Sequence, residues 1–307
     1  MEDEQNAEEN AAIIDLAPTP ALPKQGRKPR PMVQYHKMTN EELRGIRWDV
    51  NPYEYARDAS DSRFWSRTQQ DWYQTILFKQ NKIFKHQYVD LAYLQKHRCF
   101  APVLEAIRQA GLEDFISFRQ DWNEEIILQF YATLYVSGNE EDSSTWKLEW
   151  MTGKSKYEAL QEEFIARIGL GLDATPEAVK IHNEDVLTKE ELKPLYPEEG
   201  QHIYGKTATF TYPAKTVFKI FRKTFAPKKG NQDEIHHIAR NLLVKTMTHV
   251  PFNLADFFGV YMTEALADHV KQMPYAPYLM KFIISKTETP FHLDTSTPSS
   301  LPLCMKT

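Results

Sequence analysis

Residues 200–207 spell GQHIYGKT and match the phosphate-binding loop of nucleotide hydrolases letter for letter. That loop binds phosphates when a buried strand leads into it and a helix begins at its lysine and threonine. Residues 193–199 contain two prolines and do not have the pattern of a buried strand, and Pro213 lies where the helix should continue. The context disfavours nucleotide hydrolysis, and a nucleotide hydrolase stays a remote alternative.

A basic stretch overlaps this loop and continues beyond it. Between Gly200 and Gln232 there is no acidic residue. Over residues 214–225 the spacing is helical and separates an apolar face from a basic face. The apolar face consists of Val217, Phe218, Phe221 and Phe225. The basic face consists of Lys215, Lys219, Arg222 and Lys223, and Lys228 and Lys229 follow it along the chain.

The basic face has two interpretations. Lysines and arginines on a packed helix can neutralise nucleic-acid phosphates, and the nearby rings of Tyr204, Phe210 and Tyr212 could stack on unpaired bases. The alternative is a solvated helix face that is balanced by acidic neighbours such as Glu198 and Asp233. The first interpretation predicts contact with RNA or DNA through the basic face.

The N-terminal residues 1–35 read as a disordered arm. Acidic residues come first, prolines follow, and a basic cluster occupies residues 24–31. The arm has too few apolar side chains to offset the entropy of ordering it. Arg27 and Arg30 within the cluster are candidates for a minor-groove contact, and the cluster as a whole for a nuclear-localisation signal. The alternative is a solvated, extended linker.

Other patterns that could carry catalysis or bind a metal are incomplete. Residues 294–296 lack the glycine of the aspartic-protease triplet. The two cysteines, Cys99 and Cys304, are too few for a zinc knuckle, and their number argues against a disulfide scaffold. His236 and His237 would point about 100° apart on a helix, so they could not share one ion. We therefore predict no catalytic residue, no metal and no cofactor.

The elements that would position the basic face are organised around residues 121–171. Asp121 predicts a helix start, because a glutamate follows three residues on and large apolar residues then recur at helical spacing. Alternation over residues 146–157 predicts a short β-hairpin. Ser155, again with a glutamate three residues on, predicts the start of a helix that ends at Gly169.

Helical patterns continue on both sides of this block. Residues 39–90 are rich in aromatic side chains, for which we predict a role in the core in preference to base stacking. Residues 90–111 predict an amphipathic helix. Residues 233–286 predict a final helical group with breaks at Pro251 and Pro274.

Several of these segments resemble, in order over residues 78–291, a protein encoded by plant long-terminal-repeat retrotransposons, the Athila-type first open reading frame and the related plant transposon protein domain. The matching segments are Trp122-Asn123-Glu124-Glu125-Ile126, Gln129-Phe130-Tyr131-Ala132-Thr133-Leu134-Tyr135, Trp150-Met151-Thr152, Ile168-Gly169-Leu170, Phe221-Arg222-Lys223-Thr224, Arg240-Asn241-Leu242-Leu243 and Tyr275-Ala276-Pro277-Tyr278-Leu279-Met280. The resemblance implies origin from a mobile element and implies no reaction.

The composition and net charge further restrict the fold and the functions that the sequence predicts. The 307 residues carry a net charge of -5, so nucleic-acid binding requires a local patch. We predict a mainly α fold, an irregular helical domain over residues 36–290 with one short β-hairpin, a disordered N-terminal arm over 1–35 and a loose C-terminal tail over 291–307. Apolar runs of membrane-spanning length are missing from the sequence, which predicts an intracellular protein, nuclear or cytoplasmic.

The predicted function is that of a non-enzymatic structural or accessory protein derived from a plant retrotransposon, with RNA or DNA as its partner. The alternative is a domesticated nuclear interaction module whose partners are proteins, including copies of itself.

Overall fold

The computed structural model describes residues 51–78, 83–139, 142–169, 187–200, 202–224, 226, 235, 237–252, 254–267 and 272–300. Within them it is mainly α-helical with one small antiparallel sheet, as predicted. The helices are α1 (Arg67–Trp72), α2 (Leu91–Lys96), α3 (Ala101–Gln109), α4 (Glu113–Ile116), α5 (Glu124–Thr133), α6 (Gln161–Ile168), α7 (Lys189–Leu192), α8 (Tyr212–Thr224), α9 (His237–Thr248), α10 (Leu254–Ala267) and α11 (Ala276–Thr287). The strands are β1 (Tyr88–Val89), β2 (Tyr135–Asn139), β3 (Asp142–Thr152), β4 (Ser155–Leu160) and β5 (Ser299–Ser300).

The predicted hairpin is formed by β3 and β4, which pair antiparallel with Trp150 opposite Tyr157. Strand β2 adds a third strand on the other side of β3. The prediction that Ser155 begins a helix is wrong. Pairing with β3 satisfies the backbone of β4, so the helix begins at Gln161, and Leu160 at the end of β4 is 54% exposed.

Helix α5 begins two residues later than predicted. Its N-cap is Asn123, whose side-chain oxygen accepts a hydrogen bond from the Ile126 amide at 2.9 Å. The Asp121 carboxylate instead accepts one from the amide of Thr297. At the far end of the central block, Gly169 closes α6 with φ +61, as its position predicted.

One hydrophobic core extends from Phe64 to Ile283. Its centre is α11, which packs against α5 and α6. The indole of Trp150 in β3 is fully buried, with ring centroids 5.6 Å from Phe130 in α5 and 5.1 Å from Phe282 in α11. The aromatic residues of the central block are therefore used for packing.

The amphipathic stretch over residues 90–111 is divided into α2, a short 3-10 turn and α3. Pro102 explains the division, because a continuous helix would place its ring against the carbonyl of Arg98 and would lose one hydrogen bond. Gly111 follows α3 with φ +66, as expected for a helix stop. Helices α9, α10 and α11 are separated near Pro251 and Pro274, as predicted.

A second packing group consists of α3, α8 and α9, which contact one another. Beside α8 lies a parallel pair of two-residue strands, β1 and β5. The predicted tail begins in irregular backbone, where the Trp122 amide donates to the Thr295 carbonyl at 2.9 Å before β5 is reached. The predicted N-terminal arm over residues 1–35 lies outside the described residues, as do residues 301–307.

Among the described residues, none of the helices combines the length and the apolar character that crossing a membrane requires.

Substitution of Gly259 by alanine is expected to destabilise the fold, although alanine favours a helix by about 1 kcal/mol over glycine. Gly259 in α10 packs against the indole of Trp146 in β3, and an added Cβ would overlap Cζ3 of that ring and lie 2.9 Å from its Cη2 and 3.0 Å from its Cε3. Overpacking of this kind costs about 1–3 kcal/mol. Urea denaturation of Gly259→Ala should show a net loss of about 1–2 kcal/mol in the free energy of unfolding.

The control is the same substitution in a Trp146→Leu background, where the clashing ring is absent. There Gly259→Ala should be neutral or stabilising. An equal loss in both backgrounds would show that the indole is not the cause.

Candidate nucleic-acid interface

The predicted basic helix forms as α8. Thr211 precedes it, and its side-chain oxygen accepts from the Ala214 amide at 3.4 Å. Three residues of the predicted apolar face, Val217, Phe218 and Phe221, are almost fully buried against the core, and the fourth, Phe225, lies outside the described residues. This burial fixes the rotation of the helix about its axis, so the basic residues must lie on the other side.

The four cations of α8 lie within about 100° of one another around the helix axis at 100° per residue. Lys219 and Lys223 are exposed, and Lys215 and Arg222 are partly buried. In the part of the chain that the structure describes, no carboxylate lies within ion-pair distance of Lys215, Lys219 or Lys223. The alternative of a face balanced by acidic neighbours gains no support from these residues.

Some lysines elsewhere in the protein are paired. Lys286 lies 2.6 Å from Glu163, and Lys147 lies 2.8 Å from Glu158. The α8 lysines differ from these paired lysines, because their charge is available to an external anion.

Arg222 is positioned by its own helix. Its guanidinium carbon lies 5.7 Å from the centroid of the Phe218 ring, one turn back, in cation–π geometry. Arg222 and Lys223 also occupy the last turn, where cations interact favourably with the helix dipole. That interaction stabilises α8 whether or not a ligand binds, so the exposed lysines carry the stronger indication of binding.

The structure describes only some of the other residues that we predicted to contact nucleic acid. Lys228, Lys229, Arg27 and Arg30 lie outside the described residues. Phe210 is buried, and its ring centroid lies 5.1 Å from that of Tyr196 and 6.4 Å from that of Phe218. The prediction that Phe210 could stack on a base is therefore wrong, because helix packing has already covered its ring. The rings of Tyr204 and Tyr212 are partly exposed.

Residues 200–207 do not adopt the strand–loop–helix arrangement of a phosphate loop. A short helix (α7) and a 3-10 turn (Lys193–Leu195) precede them, and α8 begins only at Tyr212. The Gly205 amide donates to the Tyr196 hydroxyl at 2.7 Å, and Thr207 is buried at the start of a 3-10 turn. The groups that would bind a nucleotide phosphate are thus turned to internal contacts.

The structure adds one group of residues that sequence reasoning missed. An open cavity of about 430 Å³ lies beside the carboxyl end of α8 and is lined by Ile83, Phe84, Lys85, Gln87, Lys223 and Gln272. The sequence held a signal for it, since Lys79, Lys82 and Lys85 are interleaved with Phe84 and precede the next acidic residue, Asp90. That run belongs to the segment that we assigned to the core.

Within the described ranges, no three histidine, cysteine or acidic side chains come together as ion ligands. Cys99 is exposed and forms no disulfide with another described residue. No protein-family model, curated protein or solved structure matches the chain.

Proposed function

We propose that this chain is a non-enzymatic structural or accessory protein of plant-retrotransposon origin that binds RNA or DNA through the basic face of α8. The observation that carries the proposal is the row formed by Lys215, Lys219 and Lys223, held on the solvent side of a packed helix without carboxylate partners among the described residues. The retrotransposon origin is supported by the resemblance of residues 78–291. A nuclear or cytoplasmic location belongs to the same proposal.

The size of the row suits a phosphate backbone. Lys215 and Lys223 are eight residues apart, about 12 Å along a helix that rises about 1.5 Å per residue. Phosphates follow one another at about 3.4 Å of axial rise in a duplex strand, so a row of this length spans three or four of them. Each phosphate that a lysine neutralises releases counterions, which makes the affinity depend on salt.

The test is a nucleic-acid binding isotherm at two salt concentrations. Replacement of Lys215, Lys219 and Lys223 by glutamine should lower the affinity by roughly 10- to 100-fold near 0.1 M salt, because three phosphate contacts are lost. The slope of log K against log salt should become shallower by about 2 for a single strand or about 2.7 for a duplex. Fluorescence anisotropy with a labelled 12-mer measures both quantities.

The matched control replaces three exposed lysines on other elements, Lys96, Lys154 and Lys189, by glutamine, which changes the net charge by the same amount. This control should keep the wild-type affinity to within about threefold. If both variants bind as the wild type does, the basic face is only solvated surface. If both lose affinity equally, overall charge accounts for binding and α8 has no special part in it.

A further inference from the structure

We infer that the cavity beside the carboxyl end of α8 receives one unpaired nucleotide of a single strand that runs along the basic face. This inference rests on the proposed function and adds the class of ligand, a single strand in preference to a duplex. The cavity and the basic face share Lys223, so one strand can contact both.

The walls of the cavity are fixed by backbone hydrogen bonds between segments that are distant in sequence. The Gln87 amide donates to the Lys223 carbonyl at 3.0 Å, which joins the lead into β1 to the end of α8. The Phe84 amide donates to the Met273 carbonyl at 2.9 Å, which joins the same lead to the segment before α11. A cavity held in this way is formed before a ligand arrives, which lowers the entropy that binding must offset.

The lining supplies the three kinds of contact that a nucleotide needs. The ammonium groups of Lys85 and Lys223 suit a phosphate, and among the described residues neither has an ion-pair partner. The partly exposed ring of Phe84 offers an apolar surface to the base. Gln87 and Gln272 add side-chain amides, which can hydrogen-bond the edge of a base.

Those two amides are available for that purpose. Neither the Gln87 nor the Gln272 side chain has a hydrogen-bond partner among the described residues. A volume of about 430 Å³ lies in the lower part of the range for small-ligand sites, about 300–1,000 Å³. It is therefore large enough for one nucleotide.

The cavity lies at the carboxyl end of α8, and a helix carboxyl end carries partial negative charge that disfavours anions. Two carbonyls at this end of α8 already accept hydrogen bonds. The Lys223 carbonyl accepts from the Gln87 amide, and the Phe221 carbonyl accepts from the Ala226 amide at 2.7 Å. Two full positive charges at the rim then outweigh the remaining partial charge, which is about half an elementary charge for a whole helix end.

Single-strand preference follows from access to the base. In a duplex the bases are paired and stacked, so none can enter the cavity without first being unpaired. In a single strand the base is free to turn into the cavity while its phosphates stay on the lysine row.

The experiment compares binding of labelled single-stranded dA12 and of a 12-base-pair duplex. The wild type should bind dA12 more tightly than the duplex at equal salt. The double variant Gln87→Ala and Gln272→Ala keeps every charge, and it should bind dA12 about three- to tenfold more weakly with an unchanged salt slope and unchanged duplex affinity. Lys85→Gln, a charge change within the cavity, should weaken dA12 binding and lower its salt slope by about 0.7.

Lys154→Gln, at the exposed turn between β3 and β4, is the control for Lys85→Gln and should leave dA12 binding unchanged. Thermal unfolding of each variant verifies that it folds. If the glutamine double variant binds dA12 as the wild type does, while the triple lysine variant of α8 loses affinity, the cavity inference is overturned and the proposed function stands. Equal weakening for dA12 and duplex also overturns it. A wild type that binds neither probe overturns the proposed function, and the cavity inference with it.

Discussion

Acidification from pH 7 to pH 4 is expected to destabilise the folded chain by about 3 kcal/mol through one side chain, His86. Its imidazole is 1% exposed, with ring centroids 4.9 Å from Phe84, 5.8 Å from Tyr278 and 6.1 Å from Tyr275. Among the described residues, neither ring nitrogen has a partner in good hydrogen-bond geometry, and the nearby backbone of Phe84 offsets only part of the effect of burial on the pKa. Burial lowers the pKa of His86 from 6.5 to about 3, because a charged imidazolium would lose its water without gaining an anion.

The direction of the effect follows from proton uptake. Between about pH 6.5 and 3 the unfolded chain holds a proton on His86 and the folded chain does not, so lowering the pH favours unfolding. The stability is fully present above pH 6.5 and is lost by about 1.4 kcal/mol for each pH unit below it. The loss ends near pH 3, where the folded state also takes up the proton.

Urea denaturation between pH 8 and pH 4 measures this loss as the slope of the unfolding free energy against pH. His86→Leu removes the titrating group and should flatten the slope. His292 is exposed, so His292→Leu is the matched control and should keep the wild-type slope. Carboxylates also contribute at lower pH, as with Asp61, where a hydrogen bond from Arg63 lowers the pKa. Their contribution is common to all three proteins, and parallel slopes for wild type and His86→Leu would exclude His86 as the cause.

The sequence predicted correctly those elements in which the spacing of the apolar residues and the length of the segment indicate the same type of secondary structure. Residues 214–225 have an apolar face of helical spacing, and burial of Val217 and Phe221 bears this out. Residues 155–160 show where local patterns fail. Ser155 and a following glutamate satisfy a helix-start pattern, but the tight turn at Gly153, with φ +59, pairs the same residues with β3. Tertiary pairing outweighed the local signal.

The basic run at residues 79–85 was not enough to predict the cavity, for a related reason. Lys85 and Lys223 are far apart in sequence, and their segments meet only in the folded chain, where the Gln87 amide donates to the Lys223 carbonyl. Each lysine alone reads as an ordinary surface charge. The basic face of α8 was accessible to sequence reasoning because one helix carries all of it, whereas the cavity exists only where three segments meet.

Replacement of Gln129 by leucine is expected to lower the free energy of unfolding by about 3 kcal/mol. Gln129 is 2% exposed in α5, and its amide joins that helix to the hairpin turn. The amide nitrogen donates to the carbonyls of Arg63 and Gly153, both at 2.7 Å, and the amide oxygen accepts from the Gly153 amide at 3.1 Å. Leucine would leave all three backbone groups without this partner, and each costs about 1–3 kcal/mol where water cannot replace it.

Water can reach part of this site, because Arg63 and Gly153 are partly exposed, and for that reason the expected loss lies well below the sum of three full penalties. Gln95→Leu, at an exposed position of α2, is the control and should change stability by less than about 0.5 kcal/mol. Hydrogen exchange gives a local test, since the Gly153 amide should exchange faster in Gln129→Leu. A loss below about 1 kcal/mol with Gly153 still protected would mean that pairing between β3 and β4 holds the turn without Gln129. A faster Gly153 amide together with the full loss would show instead that α5, through this one side chain, determines where the hairpin turns.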